Sequence, residues 1–480
     1  MKKKFVTNLG LVLLLNLLIK PFWIFGIEVK VQNVVGAENY GLYFSLLSFS
    51  LIINIVLDLG VTNYNNKNIS QHNQLLTKFL SNIIVLKLIL AVAYFAISMI
   101  AAVIIGYNIV QIKLLLFLVF NQFLISFTLY LRSNLSGLQL YRTDSILSVL
   151  DKTIMIIICS FLLWGNFSTK PFRIEWFVYA QTAAYVLSST IIFLIVFSNA
   201  KFLRLKFDYN YLRVIIKQSY PFAILVLIMA TYNRIDSVLL ERLLENGKEQ
   251  AGIYAQSFRI LDAGAMFGFL FAGLLLPMFS RMLKQKENIG QLLQLSSLLI
   301  LIPAIILAIC SYFYNVEIMD LLYKEHILES SKIFTLLMIG FVGISTTYIF
   351  GSLLTANGSL RELNIMASIG LVINIVLNII LIPKYQALGA ASSSLATQLF
   401  TAVAQIFIVK KKFNFPTNYI LIFSILFFIV TIFIFGYVSK LYFTNWIYGF
   451  FAIVIFSTLL AFFTKLISVK TLFEIVKGDE

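Results

Sequence analysis

The sequence predicts an all-α polytopic membrane protein with about fourteen transmembrane helices, arranged as two six-helix lobes plus two further helices at the C-terminus. Hydrophobic residues make up 60% of the 480 residues and charged residues only 12%, whereas about 25% of a soluble domain is charged. Fourteen apolar runs follow one another along the chain, and about 20 apolar residues cross the hydrocarbon of a bilayer as a helix. Two loop patterns recur in the second half, which predicts that the lobes are repeats.

The fourteen apolar runs define the order of the predicted helices. The first run follows three lysines and precedes Val-Val-Gly-Ala at residues 34–37, which resembles a cleavage site. The apolar region of a signal peptide is only about 7–15 residues long, so we expect an uncleaved first helix. The predicted helices span residues 8–27, 41–62, 79–106, 110–131, 144–164, 175–198, 214–240, 252–279, 291–314, 331–355, 363–383, 387–409, 417–439 and 446–467.

Lysine and arginine residues are distributed unevenly among the loops. With the N-terminus in the cytoplasm, the inside segments hold more than twice as many of these residues as the outside segments. Cytoplasmic loops are enriched in Lys and Arg, so both termini are predicted to be cytoplasmic. The net charge of +16 comes from short basic clusters between apolar runs. That pattern is typical of a membrane protein, and no nucleic-acid partner is expected.

Two loop sequences occur twice in the chain. GAENYGLY begins at Gly36 and GKEQAGIY begins at Gly247, and both follow Gly-x-Glu-x-x-Gly-apolar-Tyr at an offset of 211. A second pair begins at Ser133 and Ser352, at an offset of 219. Two matches in register predict duplication of a six-helix half with retained orientation, as in some secondary transporters. The predicted divisions are residues 1–200 with helices 1–6, residues 201–412 with helices 7–12, and residues 413–480 with helices 13–14 and a cytoplasmic tail.

Three segments resemble the polysaccharide transporters of the MOP exporter superfamily, which include O-antigen flippases. Residues 221–283 hold an Arg-x-Asp pair at the end of a span, a short acidic loop, Gly-Ile-Tyr and a Leu-Pro-Met-Phe-Ser-Arg exit. Residues 374–400 hold Asn-x-x-Leu-Asn, Ile-Pro and Gly-Ala-Ala-x-x-x-x-Ala-Thr. Residues 58–70, DLGVTNYNNKNIS, resemble the loop after that family's second helix. The resemblance covers predicted helices 1 to 12, and the count of fourteen is similar to that of lipid II flippases and some O-antigen flippases.

The resemblance implies a function and a set of partners. It implies a flippase that moves an undecaprenyl-diphosphate-linked oligosaccharide, an O-antigen or capsule or exopolysaccharide repeat unit, to the outer leaflet of the bacterial inner membrane. Two lobes would enclose a central cavity and alternate its access. The expected partners are the lipid-linked glycan, membrane lipids and polysaccharide polymerase machinery, and a monomer is expected. No cofactor is expected beyond proton or sodium coupling. The alternative is a cation-coupled multidrug exporter of the same superfamily.

The sequence offers little support for an enzyme. Gly36 and Gly41 have the opening spacing of a phosphate-binding P-loop, but Leu42 and Tyr43 stand where Gly-Lys-Ser/Thr would begin, so the motif fails. The two cysteines and two histidines have no convergent partners, and no metal site is expected. No loop is long enough to form a catalytic domain, which disfavours a polysaccharide polymerase or ligase.

Charged residues inside the predicted spans are the candidate functional residues, because a charge in hydrocarbon is costly and normally faces a cavity or a partner. A diphosphate is anionic, and the guanidinium group binds phosphate in a forked geometry. The candidates for substrate binding are Arg234, Arg259, Lys20, Lys87 and Lys152. The candidates for charge pairing or coupling are Asp236, Asp262, Asp58 and Asp151.

Helices 7 and 8 carry four of these charges at similar predicted depths. Arg234 and Asp236 are two positions apart and do not face each other on a helix. The alternative to phosphate binding is a pair of interhelical salt bridges, Arg234 with Asp262 and Asp236 with Arg259. Both roles are compatible if the substrate exchanges partners with the aspartates.

The lysines of the first half also have alternative roles. Lys20 precedes Pro21, which is expected to kink the first helix, and the offset of 211 places Lys20 over Thr231, one turn from Arg234. We expect Lys20 in the cavity, with a pair to Asp58 or Asp151 as the alternative. Lys87 lies near a span end, where snorkelling is the alternative. Lys152 follows Asp151 directly, so a local structural pair is its alternative.

Overall fold

The computed structural model describes residues 14–62, 65–66, 69, 76–165, 171–200 and 209–467. Within these ranges all regular structure is helical, and eleven helices are long and apolar enough to cross a membrane. The prediction of an all-α, multi-pass membrane protein is therefore confirmed, whereas the number fourteen is not. The N-terminal lysines and the tail after residue 467, on which the predicted cytoplasmic termini partly rest, lie outside the described residues.

The helices are numbered here in chain order. They are α1 (residues 14–28, of which Phe22–Glu28 form a π-helix), α2 (Val29–Ile52), α3 (Leu76–Ile105), α4 (Ile109–Gly137), α5 (Tyr141–Leu147), α6 (Leu150–Trp164), α7 (Ile174–Ser198), α8 (Tyr209–Leu243), α9 (Gly247–Gln285), α10 (Gly290–Phe313), α11 (Asn315–Leu322), α12 (Ile327–Ala356), α13 (Leu360–Phe413), α14 (Tyr419–Tyr442) and α15 (Trp446–Phe463).

The chain forms two compact units, Met1–Ala255 and Gln256–Glu480. The first holds α1–α8 and the first turns of α9, and the second holds the rest of α9 and α10–α15. The predicted lobes at residues 1–200 and 201–412 follow the sequence repeat instead, and they stay a prediction.

The first helix changes its geometry at Pro21. The chain is α-helical before this residue and π-helical over Phe22–Glu28, because proline lacks a backbone N–H and its ring displaces the carbonyl four residues back. π-Helical turns inside helices often mark functional sites. The helix continues directly into α2, so the predicted loop over residues 28–40 is replaced by a sharp turn at Gly36. The φ of 79° at Gly36 is accessible to glycine without steric cost.

The second predicted span is interrupted near its end. α2 ends at Ile52, a short 3-10 segment covers Asn54–Leu57, and positive φ values follow at Leu59 and Gly60. The prediction of a helix over residues 41–62 is therefore wrong after residue 52. Because the run Ile-Val-Leu before residue 58 is apolar, a hydropathy pattern does not show the break.

Two further predicted spans contain irregular backbone. The span predicted over residues 144–164 is divided between α5 and α6, and at the junction the Ser148 hydroxyl accepts a hydrogen bond from Asn16 of α1 at 3.1 Å. The predicted spans 363–383 and 387–409 form the single element α13, which is broken by the non-helical backbone of Gln386, three residues after Pro383.

The two copies of the repeated glycine motif contact each other inside the first unit. A Cβ atom added to Gly41 would lie 1.8 Å from the carbonyl oxygen of Lys248, and one added to Gly252 would lie 2.0 Å from that of Ala37. The offset of 211 relates Ala37 to Lys248 and Gly41 to Gly252, so these are equivalent contacts. Gln32 adds a hydrogen bond from Nε2 to the Gly252 carbonyl at 2.8 Å. Only glycine, which has no side chain, allows the two backbones to approach this closely at these reciprocal contacts.

In the second unit, the C-terminal hairpin of α14 and α15 packs on α10. A Cβ atom on Gly449 would lie 2.0 Å from the Tyr314 hydroxyl, which is itself 2.9 Å from the Ser439 hydroxyl. Lys440 forms an ion pair with Glu317 at the start of α11. Specific contacts therefore fix the two helices that follow the predicted second lobe.

Candidate functional site

The predicted charges of the first unit lie next to the irregular segments of its helices. Asp58 follows the break after α2, Lys20 precedes the π-helix of α1, and Asp151 and Lys152 follow the break between α5 and α6. Irregular backbone inside a membrane protein is tolerated where protein or a polar cavity satisfies its N–H and C=O groups. The charged groups thus lie beside the breaks, where backbone N–H and C=O groups outside a regular helix need polar partners.

Lys87 on α3 holds the break after α2. Its ammonium group donates to the Leu57 carbonyl at 2.9 Å, to Asp58 Oδ1 at 2.5 Å and to the Ser126 hydroxyl of α4 at 3.0 Å. An ammonium group has three donors, and all three are used. The Lys87 side chain is 1% exposed, so it does not snorkel, and the substrate-binding role stays a prediction that would require these bonds to break.

Asp58 is held at one oxygen and open at the other. Its Oδ1 accepts from Lys87 and from the hydroxyl and backbone N–H of Thr62. The side chain is 30% exposed, and Oδ2 has no hydrogen bond with another described residue. Asp58 thus pairs with Lys87 and also presents one carboxylate oxygen at the break, and its role in pairing or coupling during transport stays a prediction.

Lys20, Asp151 and Lys152 belong to one charged cluster. The charge of Lys20 lies within electrostatic range of Lys152, Asp151 and Arg132. Among the described residues Lys20 makes no hydrogen bond and no ion pair within 4 Å, and its side chain is half-buried. Lys20 therefore supplies a cation that the described residues nearby do not neutralise by direct contact. Its position in a cavity stays a prediction.

Lys152 is surrounded by aromatic and acidic groups. Its Nζ lies 5.1 Å from the Trp23 ring centroid, 5.4 Å from that of Tyr185 and 3.2 Å from the Tyr185 hydroxyl. The neighbouring Asp151 carboxylate is 4.0 Å away. Cations bind the faces of Trp and Tyr rings, so Lys152 is positioned by α1 and α7 as well as by its own helix.

Sequence reasoning missed two charged residues of this cluster. Glu28 ends the π-helix, is buried and lies within electrostatic range of Lys152. Arg132 on α4 forms an ion pair with Asp144 on α5 at 2.7 Å. The predicted first span ended at residue 27 and so excluded Glu28. The signal in the sequence was a single carboxylate directly after an apolar run. A predicted first helix that was one residue longer would have included Glu28.

Arg234 and Asp236 lie on α8 in the first unit. The Asp236 side chain is buried and accepts a hydrogen bond from the Tyr254 hydroxyl at 2.9 Å. Tyr254 is the tyrosine of the second Gly-x-Glu-x-x-Gly-apolar-Tyr motif, so the motif positions one of the predicted coupling carboxylates. Arg234 is half-buried.

Arg259 and Asp262 lie on α9 in the second unit. Arg259 Nη1 is 3.6 Å from Asp262 Oδ2, one turn along the same helix, and Arg259 is 9% exposed. The structure thus shows a local pair for these two residues. The predicted pairs with Arg234 and Asp236, and the binding of phosphate by the two arginines, stay predictions.

The arrangement in the first unit offers a ligand both hydrogen-bond donors and hydrogen-bond acceptors. Amines and a guanidinium offer donors and positive charge, and Asp58, Asp151 and Glu28 offer acceptors for hydroxyl groups. In the described residues no group of three or more metal-ligating side chains occurs.

Replacing Lys87 by Met is expected to lower stability by roughly 3 kcal/mol, the low end for a broken buried ion pair because Asp58 is partly exposed. The Leu57 carbonyl and Asp58 would both lose their ammonium donor. The thermal unfolding midpoint of the purified protein measures the effect. Lys113→Met, an exposed lysine on α4, is the matched control. An unchanged midpoint for Lys87→Met would show that the ammonium group does not hold the break.

The family of polysaccharide biosynthesis proteins matches the chain over residues 6–283, more than half of its length. No curated protein sequence matches the chain.

Solved structures share the fold over most of their length. A lipid II flippase, MurJ, in an inward closed conformation has a TM-score of 0.67 at 15% identity, covering 100% of this chain and 98% of its own. An inward-facing multidrug resistance transporter of the MATE family has a TM-score of 0.59 at 14% identity, covering 81% of this chain and 94% of its own. A MOP superfamily transporter from Pyrococcus furiosus has a TM-score of 0.56 at 14% identity, covering 85% of this chain and 94% of its own. It is described as having a binding pocket of reverse polarity.

At these identities the structures establish a common fold and no common substrate. They confirm the all-α membrane architecture that the sequence predicted, and the family match confirms the resemblance read from three of its segments. The chain belongs to the polysaccharide biosynthesis protein family and has the fold of the transporters and flippases of the MOP superfamily.

Proposed function

We propose that the protein is a flippase for an undecaprenyl-diphosphate-linked oligosaccharide, an O-antigen or capsule or exopolysaccharide repeat unit, at the bacterial inner membrane. The observation that carries the proposal is Lys20, a half-buried cation with no direct partner among the described residues, set beside Lys152 and Arg132. Membership of a polysaccharide biosynthesis family supports the same substrate class.

The chemistry of the substrate explains why such a site is needed. The diphosphate of the carrier cannot cross hydrocarbon unaided, since moving a charge into a low-dielectric medium is very costly. Lys20 offers a cation that is already partly desolvated, so less water has to be removed when phosphate binds. Lys152 and Arg132 are held by acidic or aromatic partners, and the substrate gains them by exchanging with those partners. The acidic oxygens then accept hydrogen bonds from sugar hydroxyl groups.

The crossing of α2 and α9 at Gly41 and Gly252 suggests how access alternates. Both helices carry a copy of the repeated motif, and their contact depends on two backbones that approach without side chains between them. In transporters with repeats, one repeat rocks against the other around a central site. We place the crossing at the predicted outer side of the membrane, where it closes the pathway in this conformation and separates when the pathway opens outward.

Reconstitution tests the substrate. Wild-type protein in liposomes is expected to carry a fluorescent polyprenyl-diphosphate oligosaccharide between leaflets, measured as reactivity of the glycan toward a membrane-impermeant reagent. Lys20→Ala is expected to slow transfer at least tenfold, because the free cation is lost, while Lys113→Ala retains the wild-type rate. Export of an organic cation against a proton or sodium gradient, without transfer of the lipid-linked glycan, would instead establish the multidrug exporter alternative.

Gly252→Ala tests the role of the crossing. The added methyl group would lie 2.0 Å from the Ala37 carbonyl oxygen, so α2 and α9 have to separate and the closed state becomes strained. Transfer is expected to fall at least tenfold while the amount of protein in the membrane stays the same. Gly273→Ala, where nothing lies within 4 Å of the added atom, is the matched control. Full activity of Gly252→Ala would contradict the assigned role.

A further inference from the structure

Three helices surround the ammonium group of Lys152 with groups that bind cations. Trp23 in the π-helix of α1 and Tyr185 of α7 present their rings, whose centroids lie 5.1 Å and 5.4 Å from Lys152 Nζ. Nζ also donates to the Tyr185 hydroxyl at 3.2 Å and to Met155 Sδ of α6 at 3.8 Å. The Asp151 carboxylate lies 4.0 Å away. Trp23, Tyr185, Met155 and Asp151 are called the Lys152 cage below.

The groups of the Lys152 cage are those that recognise an organic ammonium ion. Cations bind the faces of aromatic rings, and aromatic cages bind ammonium ligands in this way. The Tyr185 hydroxyl and the Asp151 carboxylate add acceptors for N–H groups. The buried carboxylate of Glu28 lies within electrostatic range of Lys152. The same contacts would therefore bind the ammonium group of a free ligand.

The aromatic wall of the cage is held in place without Lys152. Trp23 is 4% exposed and stacks on Phe177 of α7, with ring centroids 5.8 Å apart and 7° between the ring planes. The Tyr43 ring of α2 meets Phe177 edge-on at 5.3 Å, and the Tyr43 hydroxyl accepts a hydrogen bond from Gln181 Nε2 at 2.9 Å. We therefore expect the Trp23 ring to keep its position when the Lys152 side chain is shortened.

The charges around the cage also favour a cation. Asp151 and Glu28 place two carboxylates near the ammonium group of Lys152. Lys20 lies within electrostatic range of Asp151 but forms no ion pair within 4 Å among the described residues, so it does not take the place of Lys152. A buried charge that loses its partner is strongly destabilising. Without the lysine, a free cation would restore the lost charge balance.

The covalent attachment of the ammonium group explains why the cage selects Lys152 over a free ion. A group tethered by a short flexible linker has an effective concentration on the order of millimolar at its site. A free alkylammonium ion has to compete with this concentration and also loses its freedom of movement when it binds. The wild-type cage is therefore expected to stay closed to such ions.

We propose that Lys152 is a specificity-determining residue, whose ammonium group fills a cage for organic cations and closes it to free primary alkylammonium ions. The proposal goes beyond the proposed function, because it concerns a second class of ligand that the fold could bind. It identifies the cage as a cation site and the lysine as its built-in occupant.

The test shortens the lysine and supplies the missing atoms as a free ion. n-Propylammonium contains the equivalents of the Cγ, Cδ, Cε and Nζ atoms that Lys152→Ala removes, and n-propanol is the neutral probe of similar size. Binding is followed by the fluorescence of Trp23 in purified protein without any lipid-linked glycan. The other tryptophans are first replaced by phenylalanine, at Trp164, Trp176 and Trp446.

The Lys152→Ala variant is expected to bind n-propylammonium at least tenfold more tightly than the wild type does, and at least tenfold more tightly than it binds n-propanol. Lys152→Met and Lys152→Arg keep a long side chain in the cage and should bind the ion no better than the wild type. Lys113→Ala, which shortens an exposed lysine on α4, is the matched control and should also match the wild type. Adding Tyr185→Leu to Lys152→Ala should weaken binding about fivefold, because one ring face is lost.

Equal affinity of Lys152→Ala and the wild type for n-propylammonium would overturn the proposal. Equal affinity of Lys152→Ala for the two probes, or binding that Tyr185→Leu leaves unchanged, would overturn it as well. If size-exclusion profiles show that Lys152→Ala is poorly folded, each probe is added during purification. Recovery of folded protein with n-propylammonium alone then supports the cage, whereas recovery with neither probe, or equally with both, contradicts it.

The outcome of this experiment is independent of the substrate that the protein carries. Because no lipid-linked glycan is present, a failure to bind n-propylammonium leaves the proposed flippase function as it stands. Conversely, a failure of glycan transfer in liposomes leaves the assignment of the Lys152 cage unaffected.

Discussion

A backbone carbonyl released inside a membrane protein must find a donor, and this requirement organises the first unit. Where α2 ends early, the Leu57 carbonyl is satisfied by Lys87 and Ser126. The same ammonium group neutralises Asp58, so one buried lysine stabilises the break and fixes a carboxylate beside it. Broken helices are a common way to bring polar groups to the centre of a transporter. Here the breaks occur where the charges lie.

The periodic features of the fold could be predicted from the sequence, but the breaks could not. Hydropathy located the apolar helices, and the two Gly-x-Glu-x-x-Gly-apolar-Tyr motifs predicted the repeat that meets at Gly41 and Gly252. The end of α2 was missed because Ile-Val-Leu is equally apolar in a helix or a 3-10 segment. The break after α2 is stabilised by Lys87, which is distant in sequence. Local sequence patterns contain no information on such contacts.

The sequence named the charged residues of the candidate site, and their roles stay predictions. Lys20, Asp151 and Lys152 lie in one cluster, whereas Lys87 uses its three donors within the protein. Glu28 was not proposed as functional because the predicted first span ended one residue before it. Burial and hydrogen bonding decide such cases, and both depend on tertiary packing. Lys152 and Arg132 are held by aromatic or acidic partners, whereas Lys20 has no direct partner among the described residues.

In the proposed function, the charged cluster of the first unit binds a lipid-linked diphosphate. Native mass spectrometry of the purified protein with a polyprenyl-diphosphate oligosaccharide, in competition with a lipophilic organic cation, tests it most directly. We expect the glycan lipid to bind without being displaced by the cation. Lys20→Glu is expected to weaken binding at least tenfold, whereas Lys113→Glu is not. Preferential binding of the organic cation, or unchanged glycan-lipid binding by Lys20→Glu, would contradict it.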